Sequence, residues 1–132
     1  MDALRVVSTV DRPHAVWRGD DGIPATVVRG AVVVTPRGCI EAATMPGLRH
    51  RLCDLLWRPR PRLVINLSGV TSCDAIGMAL LEGMSRHGAD RGGWVRLAKP
   101  QRGVQRQLRD AGLFFHETIG AALAPDLSMH DS

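Results

Sequence analysis

Leu63-Val64-Ile65-Asn66-Leu67, followed by Ser68-Gly69-Val70-Thr71-Ser72-Cys73 and then Asp74-Ala75-Ile76-Gly77, is the stretch that decides the fold. Its first five residues are short, β-branched and almost wholly apolar, the mark of a strand covered on both faces in the middle of a sheet. Ser68 to Cys73 reads as a polar connection. From Asp74 the residues Ile76, Ala79, Leu80, Leu81 and Met84 recur at helical spacing, and Gly88 offers a stop. Asp74 sits where an N-cap belongs, accepting from the backbone N–H of Ile76 or Gly77. Gly77 in the first helical turn costs about 1 kcal/mol relative to alanine, so it implies close approach by another backbone or by a partner.

The same alternation extends to both sides. Thr26 to Val28 and Ala31 to Thr35 form two short strands around an Arg29-Gly30 turn, and Pro36 to Gly38 ends the second. Thr44 serves as N-cap for a helix carrying Met45, Leu48, Leu52, Leu55 and Leu56 on one stripe up to Trp57. Arg58-Pro59-Arg60-Pro61-Arg62 must then break it. Downstream, Trp94 to Leu97 reads as a strand and Pro100 opens a helix with Val104, Leu108 and Ala111. Leu113 to Phe115 is a last extended piece, and Ile119 to Leu123 a closing helix. Strand and helix in alternation predict an α/β domain with a mixed, mostly parallel sheet of four to five strands, right-handed crossovers and about four helices.

The 132 residues leave room for one domain, expected over 23–124, with an N-terminal extension at 1–22 and a tail at 125–132. No apolar run approaches the roughly 20 residues that span a bilayer, and Met1 to Arg5 does not open a secretion signal. The expected location is therefore the cytoplasm. Cys39, Cys53 and Cys73 are odd in number, widely spaced and without metal-ligand neighbours, which reads as reduced core thiols.

The net charge of +4 raises the question of a polyanion. Sixteen arginines and one lysine are scattered, however, and Arg96, Lys99, Arg102, Arg106 and Arg109 read as a solvated helix flank. Trp57 to Arg62 would suit phosphates of a nucleic acid or an anionic lipid surface, but a stiff exposed connector accounts for it without an aromatic platform. Nucleic acid is the weaker reading. Catalytic and nucleotide motifs are missing: there is no Gly-x-Ser-x-Gly elbow, no phosphate-cradling loop and no dinucleotide fingerprint. His14, His50, His87, His116 and His130 have no spacing that pairs them with a nucleophile or metal, and each reads as a surface residue. No enzyme activity and no cofactor are expected.

Three pieces in chain order carry a family resemblance: Gly38-Cys39-Ile40-Glu41-Ala42-Ala43-Thr44 before a helix, Leu63 to Leu67, and Asp74-Ala75-Ile76-Gly77. Together with Gln105 to Leu113 they resemble the domain shared by sulfate transporters and anti-sigma-factor antagonists (STAS), over roughly residues 26 to 124. Two family positions differ in kind: Glu41 replaces an aspartate, and Asn66 stands where the strand commonly ends in Asp-Leu. The resemblance implies a protein-binding surface at Glu41, Thr44, Ser72, Asp74, Ala75, Ile76, Gly77 and Met78, facing an ATPase- or kinase-like anti-sigma factor. It also allows a homodimer.

In switchable members of that family the residue after the aspartate is a serine phosphorylated by the partner. Ala75 has no hydroxyl, so phosphate cannot be installed there. Ser68, Thr71 and Ser72 are nearby hydroxyls better explained by turns and caps. The resemblance thus implies regulation of sigma-factor-dependent transcription without that switch. The alternative is an adaptor subunit of a transporter or stress-signalling assembly.

Overall fold

The computed structural model describes residues 23–124. Ten elements follow one another: β1 (Ala25–Val28), β2 (Ala31–Val34), β3 (Arg37–Ile40), α1 (Met45–Leu55), β4 (Arg62–Asn66), β5 (Gly69–Cys73), α2 (Ala75–Asp90), β6 (Trp94–Ala98), α3 (Arg102–Asp110) and α4 (Ile119–Leu123). The expected extension at 1–22 and tail at 125–132 lie outside the described residues.

β1, β2, β4 and β6 form one sheet in that order, with β1 antiparallel to β2 and the other pairs parallel. β3 and β5 pair in parallel as a second, two-stranded sheet. The α/β class, the mixed and mostly parallel sheet and the four helices agree with the expectation from sequence. At the β1–β2 turn both Arg29 (φ 52°) and Gly30 (φ 82°) are left-handed, the backbone that suits a two-residue hairpin.

The apolar run of β4 is explained by cover on both faces. Leu63, Ile65 and Leu67 join the main core with Leu48, Leu52 and Leu56 from the α1 segment, Leu80 and Leu81 of α2, and Val104 and Leu108 of α3. Val64 points the other way, into a smaller cluster with Val33, Ala98 and Ala122 beneath α4. Successive side chains on a strand alternate faces, so only a doubly covered strand can be apolar throughout.

Two expectations are corrected here. Ser68 to Cys73 is not a mere connection: Gly69–Cys73 is a strand whose Val70 and Cys73 are buried, and it is held by Arg37–Ile40, a segment expected to end a strand rather than form one. Nor does Gly88 stop α2, which continues to Asp90. A Cβ on Gly88 would stand 2.8 Å from Val95 Cγ2 and 3.2 Å from the Trp94 carbonyl carbon, so this glycine lets the helix lie close on β6. Of the three thiols only Cys73 is buried; Cys39 is half-buried and Cys53 exposed on α1.

Of the basic residues expected as a solvated flank, Lys99, Arg102, Arg106 and Arg109 are exposed, whereas Arg96 of β6 is half-buried. Arg96 lies 3.8 Å from the centre of the Trp94 ring and donates to the carbonyls of Ala122 and Ala124 at 2.9 and 3.1 Å, which ties α4 to β6. Arg109 lies over Phe115 at 5.4 Å.

Candidate functional site

Because β3 and β5 run in parallel, the chain leaves both strands at the same end. The turn into α1 and the turn into α2 therefore stand side by side. Cys39 is opposite Ser72 and Ile40 opposite Cys73, and the Asp74 N–H donates to the Ile40 carbonyl at 3.1 Å. Glu41 and Thr44 are thereby brought beside Asp74, Ala75 and Ile76, although about thirty residues separate them in sequence.

Each turn is braced internally. The Thr44 hydroxyl donates to the Cys39 carbonyl at 2.7 Å and accepts from the Glu41 N–H at 3.1 Å. Thr44 does occupy the N-cap position of α1, but its side chain makes no capping hydrogen bond and clamps the preceding turn instead. Asp74 does cap α2: its Oδ1 accepts from the Gly77 N–H at 2.8 Å. The end of β5 is held from α3, where Gln107 Oε1 accepts from the Cys73 N–H at 3.2 Å. Asn66, at the place of the family's aspartate, accepts from the Ser68 N–H at 3.1 Å and so shapes the β4–β5 turn.

The residues singled out in the sequence divide into three groups by burial. Glu41, Asp74, Ala75 and Ile76 are exposed, with Ile76 at 45% exposure, while Thr44 and Ser72 are half-buried. Gly77 and Met78 are buried and face inward. The backbone approach implied by Gly77 is internal: a Cβ there would stand 2.7 Å from the Ile40 carbonyl oxygen and 2.6 Å from Cys73 Sγ. Burial, and secondarily the charge of Asp74, pushes the Cys73 thiol up to about 12. It stays protonated near neutrality and is no nucleophile.

A groove lies between α1 and α2, lined by Met45, Arg49, Ile76, Ala79, Leu80, Gly83 and Met84, with a volume of about 270 Å³. Ile76 is at one end of it. Sequence reasoning placed Met45 and Leu80 in the core stripes and overlooked Arg49 and Gly83. The available signal was the i, i+3, i+7 spacing of Ile76, Ala79 and Gly83, a second stripe beside the core-facing one. Among the described residues no group of three or more His, Cys, Asp or Glu side chains would hold a metal ion. No helix among them is long and apolar enough to cross a membrane. Asp74 and His87 are at opposite ends of α2, too far apart to act as an acid–base couple.

A four-stranded sheet, a short second sheet that aligns two helix entrances, and a capped α2 define the architecture of a STAS domain. The STAS domain model matches residues 22–125, and the chain belongs to that family. Its fold is similar to that of a Thermotoga maritima protein proposed as an anti-sigma factor antagonist, at 21% identity over 76% of this chain and 91% of that one, with a TM-score of 0.70. An anti-sigma factor antagonist from Mycobacterium paratuberculosis is similar at 22% identity over 76% and 89% of the two chains, with a TM-score of 0.69. Unphosphorylated SpoIIAA, the anti-sigma factor antagonist of Bacillus, is 17% identical over 83% and 94%, with a TM-score of 0.57. No curated protein matches the chain by sequence.

Proposed function

We propose that the chain is a non-enzymatic, anti-sigma-factor-antagonist-like interaction domain that binds an anti-sigma factor through the entrance of α2, with no serine switch at that position. The observation that carries this reading is the exposed methyl group of Ala75 in the first turn of α2, next to the capping carboxylate of Asp74. A phosphoryl group there would add nearly two negative charges and a bulky, strongly hydrated group beside Asp74 and the apolar Ile76 contact. With alanine the surface keeps one charge state, and control must come from the amount of protein.

Ile76 supplies the apolar contact, and the groove beside it accepts side chains from a partner helix. Its neighbours Glu41 and Asp74 give the rim a negative charge that would select a partner with a basic edge. The test is capture of the cognate ATPase-type anti-sigma factor by the purified chain. Ile76→Asp should weaken capture by about thirtyfold or more, as expected for a central contact residue. Normal capture by a folded Ile76→Asp variant would remove the α2 entrance from the interface.

A further inference from the structure

The end of the domain opposite Asp74 has a composition that the proposed docking function does not use. β2, β4 and β6 are parallel, so their first residues share one end with the β1–β2 turn and with the C-termini of α1 and α2. Arg29, Arg58, Arg60, Arg62 and Arg91 all occur in these segments and outnumber the two carboxylates there, Asp54 and Asp90. Among the described residues Arg29, Arg58, Arg60 and Arg62 form no ion pair. The Arg62 guanidinium lies over the hairpin turn, 3.4 Å from where a Cβ on Gly30 would stand. Arg29 and Arg60 both hold φ at 52°, a backbone that glycine would take with less strain.

Two of the four large apolar side chains exposed on the described surface are at this same end: Trp57 at 76% and Val28 at 36%. The Trp57 indole is not loose. Arg91 stacks over it at 5.6 Å, donates to the Trp57 carbonyl, and donates from Nε to the Arg58 carbonyl at 3.3 Å. The loop is thus fixed with its indole outward.

We propose that this end is a docking face for an anionic phospholipid bilayer. Arginines spread over three turn tips match a charged plane, each contributing through attraction to acidic headgroups within a Debye length. An exposed indole among them is the side chain that partitions to the headgroup layer. A bilayer is favoured over nucleic acid because Trp57 is the one exposed Trp or Phe ring at this end among the described residues, with no further such ring to continue a row of stacked bases, while Val28 adds aliphatic area that the headgroup–acyl boundary accepts.

The experiment is co-sedimentation of the full chain with vesicles of phosphatidylcholine alone and of phosphatidylcholine mixed with phosphatidylglycerol. Binding is expected to the mixed vesicles only, to fall with added salt, and to shift tryptophan emission to shorter wavelength, a shift that Trp57→Ala should remove although Trp17 and Trp94 remain. Trp57→Ala and the double variant Arg60→Glu/Arg62→Glu should each reduce it about tenfold or more. The indole is too exposed for Trp57→Ala to unfold the domain, so that variant remains decisive if the double variant melts early. Absence of binding to acidic vesicles, equal binding to neutral ones, or binding unaffected by Trp57→Ala overturns the proposal. So does retention on a DNA or RNA oligonucleotide in place of vesicles. Ile76→Asp, which tests the anti-sigma surface, should leave vesicle binding unchanged.

Discussion

The carbonyl oxygen of Ile40 leaves no room for a side chain on Gly77: a Cβ there would stand 2.7 Å away, with Ile40 Cγ2 at 2.8 Å and Cys73 Sγ at 2.6 Å. Gly77→Ala therefore pits a helix-propensity gain of about 1 kcal/mol against overpacking of about 1–3 kcal/mol. The nearest oxygen is backbone and cannot move cheaply, so the clash wins. Urea unfolding should show a loss of about 1–2 kcal/mol, and unchanged or raised stability would mean that β3 and α2 are not in contact as described.

Ala75→Ser should leave stability within about 0.5 kcal/mol of the parent, because the residue is exposed in the first helical turn and serine is tolerated there. If the α2 entrance is the antagonist surface, an anti-sigma kinase incubated with ATP should phosphorylate Ala75→Ser and not the parent. Intact-mass measurement reads a single added phosphate. Equal labelling of both proteins would point to Ser68, Thr71 or Ser72 instead.

The thiols should separate by reactivity. Iodoacetamide at neutral pH should alkylate exposed Cys53 readily and Cys73 only after unfolding. The raised value of Cys73 also has a pH signature. Its ordinary value is 9.0 and its folded value about 12, so the folded chain retains a proton that the unfolded chain releases. The associated stability is complete below about pH 9 and is lost progressively as pH rises toward 12. Urea midpoints measured across that window should fall more steeply for the parent than for Cys73→Ala, and parallel slopes would contradict this origin.

Arg96→Ala should release α4 without disturbing the sheet. The variant loses two charge-assisted hydrogen bonds to Ala122 and Ala124 and the stack on Trp94, a cost of about 1–3 kcal/mol. Hydrogen exchange should accelerate at Ala121 and Ala122 while Ile65 and Leu97 remain protected. Arg96→Lys should rescue only partly, since an ammonium cannot reproduce the planar stack.

Much of the fold was legible because its signals are local. The apolar run at Leu63 to Ile65, the helical stripes and the Asp74 cap each sit within a few residues of one another. The β3–β5 pair was not legible, because Gly69–Cys73 opens with Gly and carries two hydroxyl residues among only five, and its partner strand lies about thirty residues earlier. Strand pairing of that kind comes from tertiary contacts that override weak local preference. Gly88 read as a helix stop for a related reason, since its close approach to Val95 is set only by the packing of α2 on β6. Thr44 read as a cap, whereas its hydroxyl bonds the Cys39 carbonyl and the Glu41 N–H within its own turn.

What the chain itself determined is chemical: a methyl group at residue 75, a carboxylate at 74 suited to cap a helix, and a central strand that needs cover on both faces. Those facts hold wherever the residues are placed. Only the tertiary structure decided that residues 41–44 stand against 74–76, that Gly77 is closed off by Ile40, and that Arg29, Arg58, Arg60, Arg62 and Arg91 share one end of the domain with Trp57. Such groupings depend on parallel strands returning the chain to the same edge after a helix, and no local pattern of residues encodes which distant segments that return will bring together.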